Sequence, residues 1–186
     1  MTIEYEQTPE DVVAFNLFHM EHSPAARWNY RKVRLIRMAW WFVGGSGLWC
    51  FAIVLGYQSL EAGLYVIPFY ALGLVDLFLY PRAYRGSIIK LVSGMCRERN
   101  NRGLFGTQQI TLSADGVSNG NAFERSAASW DSIEEVAVSS DYVYIYRNAI
   151  DAVIIPRRAF PTEIEFDGFI ESARRFHERA AQSSVR

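Results

Sequence analysis

Residues 38–57 read MAWWFVGGSGLWCFAIVLGY, residues 62–80 read AGLYVIPFYALGLVDLFLY, and only Gln58-Ser59-Leu60-Glu61 stands between them. No Lys or Arg occurs from Met38 to Tyr80, and basic residues flank the stretch on both sides. At 1.5 Å per residue each run makes a helix of roughly 28–30 Å, enough to cross a hydrocarbon core of about 30 Å. Ten Leu, Ile, Val or Phe residues in the second run favour insertion, each by roughly 0.3–0.6 kcal/mol. Asp76 opposes it, but lies four residues from the end of the run and reaches the interface. The expectation is a transmembrane helical hairpin over 38–80.

The flanks orient it. Arg27, Arg31, Lys32, Arg34 and Arg37 precede the first run without an acid among them. Arg82, Arg85, Lys90, Arg97, Arg99 and Arg102 follow the second with Glu98 as the one acid. Short basic flanks stay on the cytoplasmic side, so both termini are expected in the cytoplasm. The first run begins too late, and lacks the small-residue cleavage pattern, for a signal peptide. The overall charge of −1 and hydrophobic content of 50% average an apolar hairpin with two polar segments. Cys50 and Cys96 suggest no disulfide framework, and thiols are expected of both.

Outward from the hairpin, residues 1–37 read as a cytoplasmic strand and helices. Ile3 and Tyr5 alternate in a short strand over Thr2–Gln7. Thr8-Pro9-Glu10-Asp11 starts a helix, with Thr8 as cap, Pro9 in the first turn and acids near the positive dipole end. Ser23-Pro24 starts the next, which runs into the membrane. His19 and His22 stand three apart, which is not the zinc-protease spacing, and are expected on a helix surface. Residues 81–103 form a juxtamembrane amphipathic helix with Tyr84, Ile88, Leu91, Val92 and Met95 at helical spacing. It extends the second span or lies against headgroups.

From Gly106 the period changes to two. Thr107–Leu112, a short strand to Ser118, a strand through Phe123 towards Ser129, Tyr142–Arg147 and Ala149–Ile155 alternate as strands, with turns at Asp115-Gly116 and Gly120-Asn121. Tyr142, Tyr144 and Tyr146 face one way, Val143 and Ile145 the other. Thr162 and Glu165 make a capping-box pair for a last helix with the stripe Phe166, Phe169, Ile170, Ala173 and Phe176. Residues 181–186 are expected to fray. The fold class is therefore a two-helix membrane hairpin plus an α+β domain over 104–180, an antiparallel β-barrel or sandwich capped by a C-terminal helix. With both ends cytoplasmic, Thr2–Gln7 is placed to add a strand to that sheet.

Leu112-Ser113-Ala114-Asp115-Gly116, Trp130-Asp131-Ser132-Ile133, Tyr144-Ile145-Tyr146 and Ile154-Ile155-Pro156-Arg157-Arg158-Ala159-Phe160, after the strand, Thr-Pro-Glu-Asp helix and two spans, carry a resemblance. The chain resembles the YcxB-like proteins over nearly its whole length. It departs at Arg147-Asn148, where these proteins vary, and at Pro161 in place of a small polar residue. The resemblance implies a pleckstrin-homology-like (PH-like) C-terminal domain, the bacterial inner membrane, and no established activity.

Candidate site residues are few. Arg157 and Arg158, paired at a strand end, have the chemistry to hold a phosphate or carboxylate, or else to bridge Glu163 or Glu165. Asp76 is an intramembrane acid with no base in either run, expected to reach Arg82, Lys90 or water. Arg31, Lys32, Arg34, Arg37, Arg82, Arg85 and Lys90 flank the membrane. Gly44-Gly45-Ser46-Gly47 matches the Gly-x-Ser-Gly string of intramembrane serine proteases, but every histidine lies outside the spans, so close helix packing explains the glycines better. No catalytic residue, metal set or cofactor is expected, and nucleic-acid binding finds no support in a β domain that is not basic. The expected function is cytoplasmic presentation of a protein- or lipid-binding domain. The alternatives are an anionic-lipid sensor using the basic residues and a small transporter using Asp76. Expected partners are membrane lipids, an unidentified protein and a second copy of the chain.

Overall fold

The computed structural model describes residues 1–98, 105–121 and 124–183. It divides into two compact units: Met1–His19 with Leu91–Arg186, and Met20–Lys90. The N-terminal strand and most of the first helix belong to the β-rich unit, in keeping with the expected addition of Thr2–Gln7 to that sheet.

In that unit, β1 (Thr2–Gln7) is followed by α1 (Pro9–His22). Beyond the insertion come β2 (Gly106–Leu112), β3 (Gly116–Gly120), β4 (Arg125–Ser129), β5 (Glu135–Val138), β6 (Tyr142–Asn148) and β7 (Asp151–Pro156). Short 3-10 turns occupy Trp130–Ser132 and Arg157–Ala159, and α4 (Glu163–Ser183) ends the described chain. The strands form two antiparallel sheets, β1-β2-β3-β4 and β5-β6-β7. β1 pairs with β2 along its whole length, from Thr2 opposite Thr111 to Gln7 opposite Gly106. Gly116 accepts only a hydrogen at Cα: a Cβ there would stand 2.2 Å from the Ala128 carbonyl oxygen across the ladder. The expected strand through Phe123 lies partly outside the described residues. α4 continues to Ser183, so the tail expected to fray from 181 is helical over 181–183.

Both sheets contribute to one core. Ile110, Leu112, Val117, Val143, Ile145, Val153 and Ile155 pack with Phe166, Phe169, Ile170 and Ala173 of α4. The Tyr142–Asn148 alternation places Val143 and Ile145 in this core, as expected from period two. The opposite face of the same sheet is also covered. Tyr144, Tyr146 and Ile154 lie beneath α1, packed by Phe15 with Val12 and Phe18. Phe18 stacks on Tyr144 at 4.6 Å between centroids. The Tyr5 hydroxyl, on β1, donates to the Ile154 carbonyl of β7 and so links one sheet to the other.

The second unit is an antiparallel helix pair, α2 (Pro24–Val54) and the Met20–Lys90 part of α3 (Ser59–Cys96). Ser23 caps α2, accepting from the Ala26 N–H at 3.4 Å. Gly56, at φ +92°, turns the chain out of α2. Tyr30 contacts Tyr80, Trp41 contacts Phe69, and Phe42 contacts Tyr70, which fixes the antiparallel register. Glycines let rings reach the backbone: a Cβ at Gly45 would lie 2.6 Å from the Tyr70 ring, and one at Gly73 2.9 Å from the Trp41 Cβ. α3 runs unbroken through Pro81 to Cys96, so the expected juxtamembrane helix takes the first of its two expected forms, an extension of the second run, with 99–103 outside the described residues.

Among the described residues one helix, over Leu60–Cys96, is long and apolar enough to cross a membrane by length and composition. α2 is diluted by Trp40, Trp41, Trp49, Gly44, Gly45 and Gly47, whose transfer from water is less favourable than that of Leu or Ile.

Candidate functional site

Arg157 and Arg158 sit on the 3-10 turn after β7 and point to different partners. Arg157 pairs with Glu163 at 2.5 Å, and its guanidinium lies 5.5 Å from the centroid of the Phe166 ring. Arg158 turns the other way, onto α1. Its Nη1 donates to Asp11 Oδ1 at 2.7 Å, and Nη2 donates to Asp11 Oδ2 at 2.5 Å and to the Glu6 carbonyl at 3.0 Å.

Asp11 is fully buried and accepts hydrogen bonds from Thr8, Tyr142 and Arg158. The Thr8 N–H reaches Oδ2 at 2.8 Å, closing the capping box of α1, and the Tyr142 hydroxyl donates to Oδ1 at 3.1 Å. Burial alone raises the Asp11 carboxyl. The Arg158 hydrogen bonds, the Thr8 N–H and Tyr142 outweigh it and hold the group below the usual carboxylate range. The Tyr142 phenol moves up, through burial and then through the Asp11 charge. Tyr146 is pushed up to about 12 by burial and the nearby Glu135. Asp11 and Arg158 thus form a satisfied polar clamp between the N-terminal segment and the β7 turn. The sequence places Asp11 only as an acid in the first turn of a helix; neither its bond to the Thr8 N–H nor its long-range partner is part of that expectation.

A groove opens on the other side of this unit, between the Trp130–Ser132 turn and α4. It has a volume of ≈ 340 Å³ and is lined by Asp115, Trp130, Asp131, Phe176, Arg179 and Ser183, among others. Its floor is aromatic: Trp130 is buried, lies 5.9 Å from Phe176, and donates its indole N–H to the Ser113 carbonyl at 2.9 Å. Asp115, Asp131 and Arg179 form no ion pair among the described residues. No sequence signal marked this groove, whose walls come from three separated stretches.

In the helix pair, Asp76 reaches neither Arg82 nor Lys90. It is held by Arg37, whose Nε donates at 3.1 Å and whose Nη2 makes a second bond, and by the Trp41 indole N–H at 3.2 Å. The sequence expectation is corrected here by register: the antiparallel pairing brings Arg37, before the first apolar run, level with Asp76, near the end of the second. Ser46 shares a 3.0 Å hydrogen bond with Tyr70. His177 Nε2 meets the Ile133 carbonyl at 2.9 Å, and His19 packs between Phe15 and Tyr146. Among the described residues no group of three His, Cys, Asp or Glu side chains is arranged to hold a metal.

Neither curated proteins nor solved structures give a match to this chain. A family model does, and its reach takes in the β7 turn and one wall of the groove, Asp115, Trp130 and Asp131, but not the α4 residues Phe176, Arg179 and Ser183. Residues 112–171, from the last residue of β2 into α4, match the family described as YcxB-like protein.

Proposed function

We propose that this protein is a two-span protein of the bacterial inner membrane whose helix pair anchors a cytoplasmic, PH-like domain that binds a protein or lipid. The observation that carries this is the apolar exterior of α2 and α3. Trp40, Phe42 and Phe78 are 67–73% exposed, with Leu60 and Leu64 exposed on the same pair. An apolar surface of this extent needs a lipid or protein cover. Tyr57 and Tyr65, at the linker end, and Trp28 and Tyr30, at the other, are spaced as interfacial aromatics are. From Trp28 to Tyr57 α2 and its turn span about 43 Å, close to the 40–45 Å of a whole bilayer.

Strand pairing adds a topological argument. β1 and β2 lie in one ladder, so residues 20–90 cross a membrane an even number of times. If α3 crosses, α2 crosses with it, although α2 is the less apolar. The basic flanks then put both ends on the cytoplasmic side.

The groove over Trp130 and Phe176 is where the domain meets its partner in this reading. It combines an aromatic floor with uncommitted charges of both signs at the rim, a pattern suited to binding rather than to chemistry. Thiol labelling tests the anchor. Cys50 is exposed on the isolated helix pair, so in intact membranes it should resist a membrane-impermeant maleimide while Cys96 reacts only in inside-out vesicles. Equal labelling of both, or release of the protein by alkaline carbonate, would contradict the proposal. For the domain, Arg179→Glu should abolish crosslinks to a partner in native membranes; an unchanged crosslinking pattern would remove the groove from consideration.

A further inference from the structure

Eight Lys and Arg residues lie between Met20 and Lys90, all in two short stretches, Arg27–Arg37 and Arg82–Lys90. Tyr30 stands 5.4 Å from Tyr80 and 5.0 Å from Tyr84 between ring centroids, so the two stretches share one level of the helix pair. Charge at that level is unbalanced. Arg37 is committed to Asp76, and Arg85 to Glu21 at 3.0 Å. Among the described residues Arg27, Arg31, Lys32, Arg34, Arg82 and Lys90 form no ion pair. The Arg34 Nε is buried beside the helix pair without a hydrogen-bond partner.

We propose that these six side chains form a collar that binds the headgroups of anionic phospholipids. The inference rests on reading α2 and α3 as membrane spans. Three features favour a lipid over a soluble anion. The bases are distributed over both helices rather than converging on one cleft, and at the register set by Tyr30 with Tyr80 and Tyr84 they occupy a band about 18 Å deep. A headgroup layer is about 5–7 Å deep on each side, and long Lys and Arg side chains bend into it while their stems cover apolar surface. Trp28, 68% exposed, sits in the same band, and Leu35 and Ile36, 64% and 58% exposed, begin the apolar surface just beyond it. The exterior therefore changes from charged and aromatic to apolar within about one turn, as the lipid–water boundary does. Guanidinium forks suit the paired oxygens of a phosphodiester, and an anionic headgroup, with no choline cation to oppose the bases, keeps its net negative charge for them.

The collar differs from a topology signal in what it predicts about lipid composition. The full chain, reconstituted in nanodiscs of phosphatidylcholine with or without phosphatidylglycerol, should retain phosphatidylglycerol beyond its share of the bilayer when co-purified lipids are counted by mass spectrometry. Raising salt should erase the enrichment. R31Q and R82Q should each lower it about fivefold, whereas R125Q, in β4, should leave it unchanged. Retention in proportion to abundance, or unchanged enrichment in R31Q and R82Q, would overturn the collar while leaving the spans intact. Failure of the wild-type chain to enter either bilayer would overturn the spanning reading and the collar with it. The salt titration of the wild-type protein tests the collar even if a variant fails to reconstitute.

Discussion

Asp11 and Arg158 stand 147 positions apart and meet in a two-pronged ion pair, with the carboxylate fully buried and the guanidinium about half exposed. Arg158→Ala removes the cation and leaves a charge in the interior, the costly way to break such a pair. Loss of about 2–3 kcal/mol is expected, below the fully buried case because Arg158 is partly hydrated. Thermal unfolding of the detergent-solubilised chain checks it, and Arg157→Ala, which breaks an exposed pair, should cost less than about 1 kcal/mol.

The same carboxylate gives a pH dependence of definite sign. Its native pKa lies below the ordinary value, so the unfolded chain takes up the proton first as acid is added. The stabilisation is complete above the unfolded value of about 4 and declines as pH falls through the lower native value. Asp11→Asn should therefore lose stability at neutral pH and show a shallower loss between pH 5 and 2. Parallel melting curves for the two forms over that range would contradict this.

Deleting residues 1–7 removes β1 from its ladder, together with the Tyr5 bond to Ile154 and the Glu6 carbonyl that receives Arg158. The β-rich unit should melt at a lower temperature, by several degrees or more. An unchanged midpoint would mean that β1 contributes no stability.

Glycines in the helix pair divide by what they face. Gly45→Leu drives a side chain into the Tyr70 ring and should separate α2 from α3, while Gly47→Ala meets nothing within 4 Å and should be neutral. A pair of spin labels, one on each helix, reads the distance directly; an unshifted distance in Gly45→Leu would refute close packing there.

Asp76 and Arg37 should be thermodynamically coupled. Asp76→Asn and Arg37→Gln are each expected to destabilise the helix pair, and the double variant should cost less than the two combined, by about 1 kcal/mol. Strict additivity would show the pair to be incidental. If Asp76 instead served transport, Asp76→Asn would abolish a flux without this coupling.

What was legible in the sequence follows from range. The cap of α4 at Thr162 and Glu165, the alternation of β6, and the second apolar run, in α3, depend on neighbours a few residues apart, and these appear where expected. Partners fixed by tertiary register were not legible. Asp76 finds Arg37 only once two helices are antiparallel, and Asp11 finds Arg158 only once α1 lies across β6. α1 itself carries a weak apolar stripe, because it contacts the sheet through Val12, Phe15 and Phe18 while its other positions stay mixed. The covering of the tyrosine face was therefore invisible, although the tyrosine face was plain.

A unit assembled from residues 1–19 and 91–183 has a consequence for its biosynthesis. β1 and α1 leave the ribosome first, but β2 follows about a hundred residues later, a delay of roughly 5–20 s at ordinary elongation rates. During that interval the nascent N-terminus holds an open strand edge and the unburied rings of Phe15 and Phe18. Glu4 and Glu6, exposed on β1, place negative charge along that edge and discourage pairing with other chains. Substituting both by valine would leave the finished ladder intact yet make the waiting segment prone to aggregate, a penalty paid during synthesis and not in the folded protein.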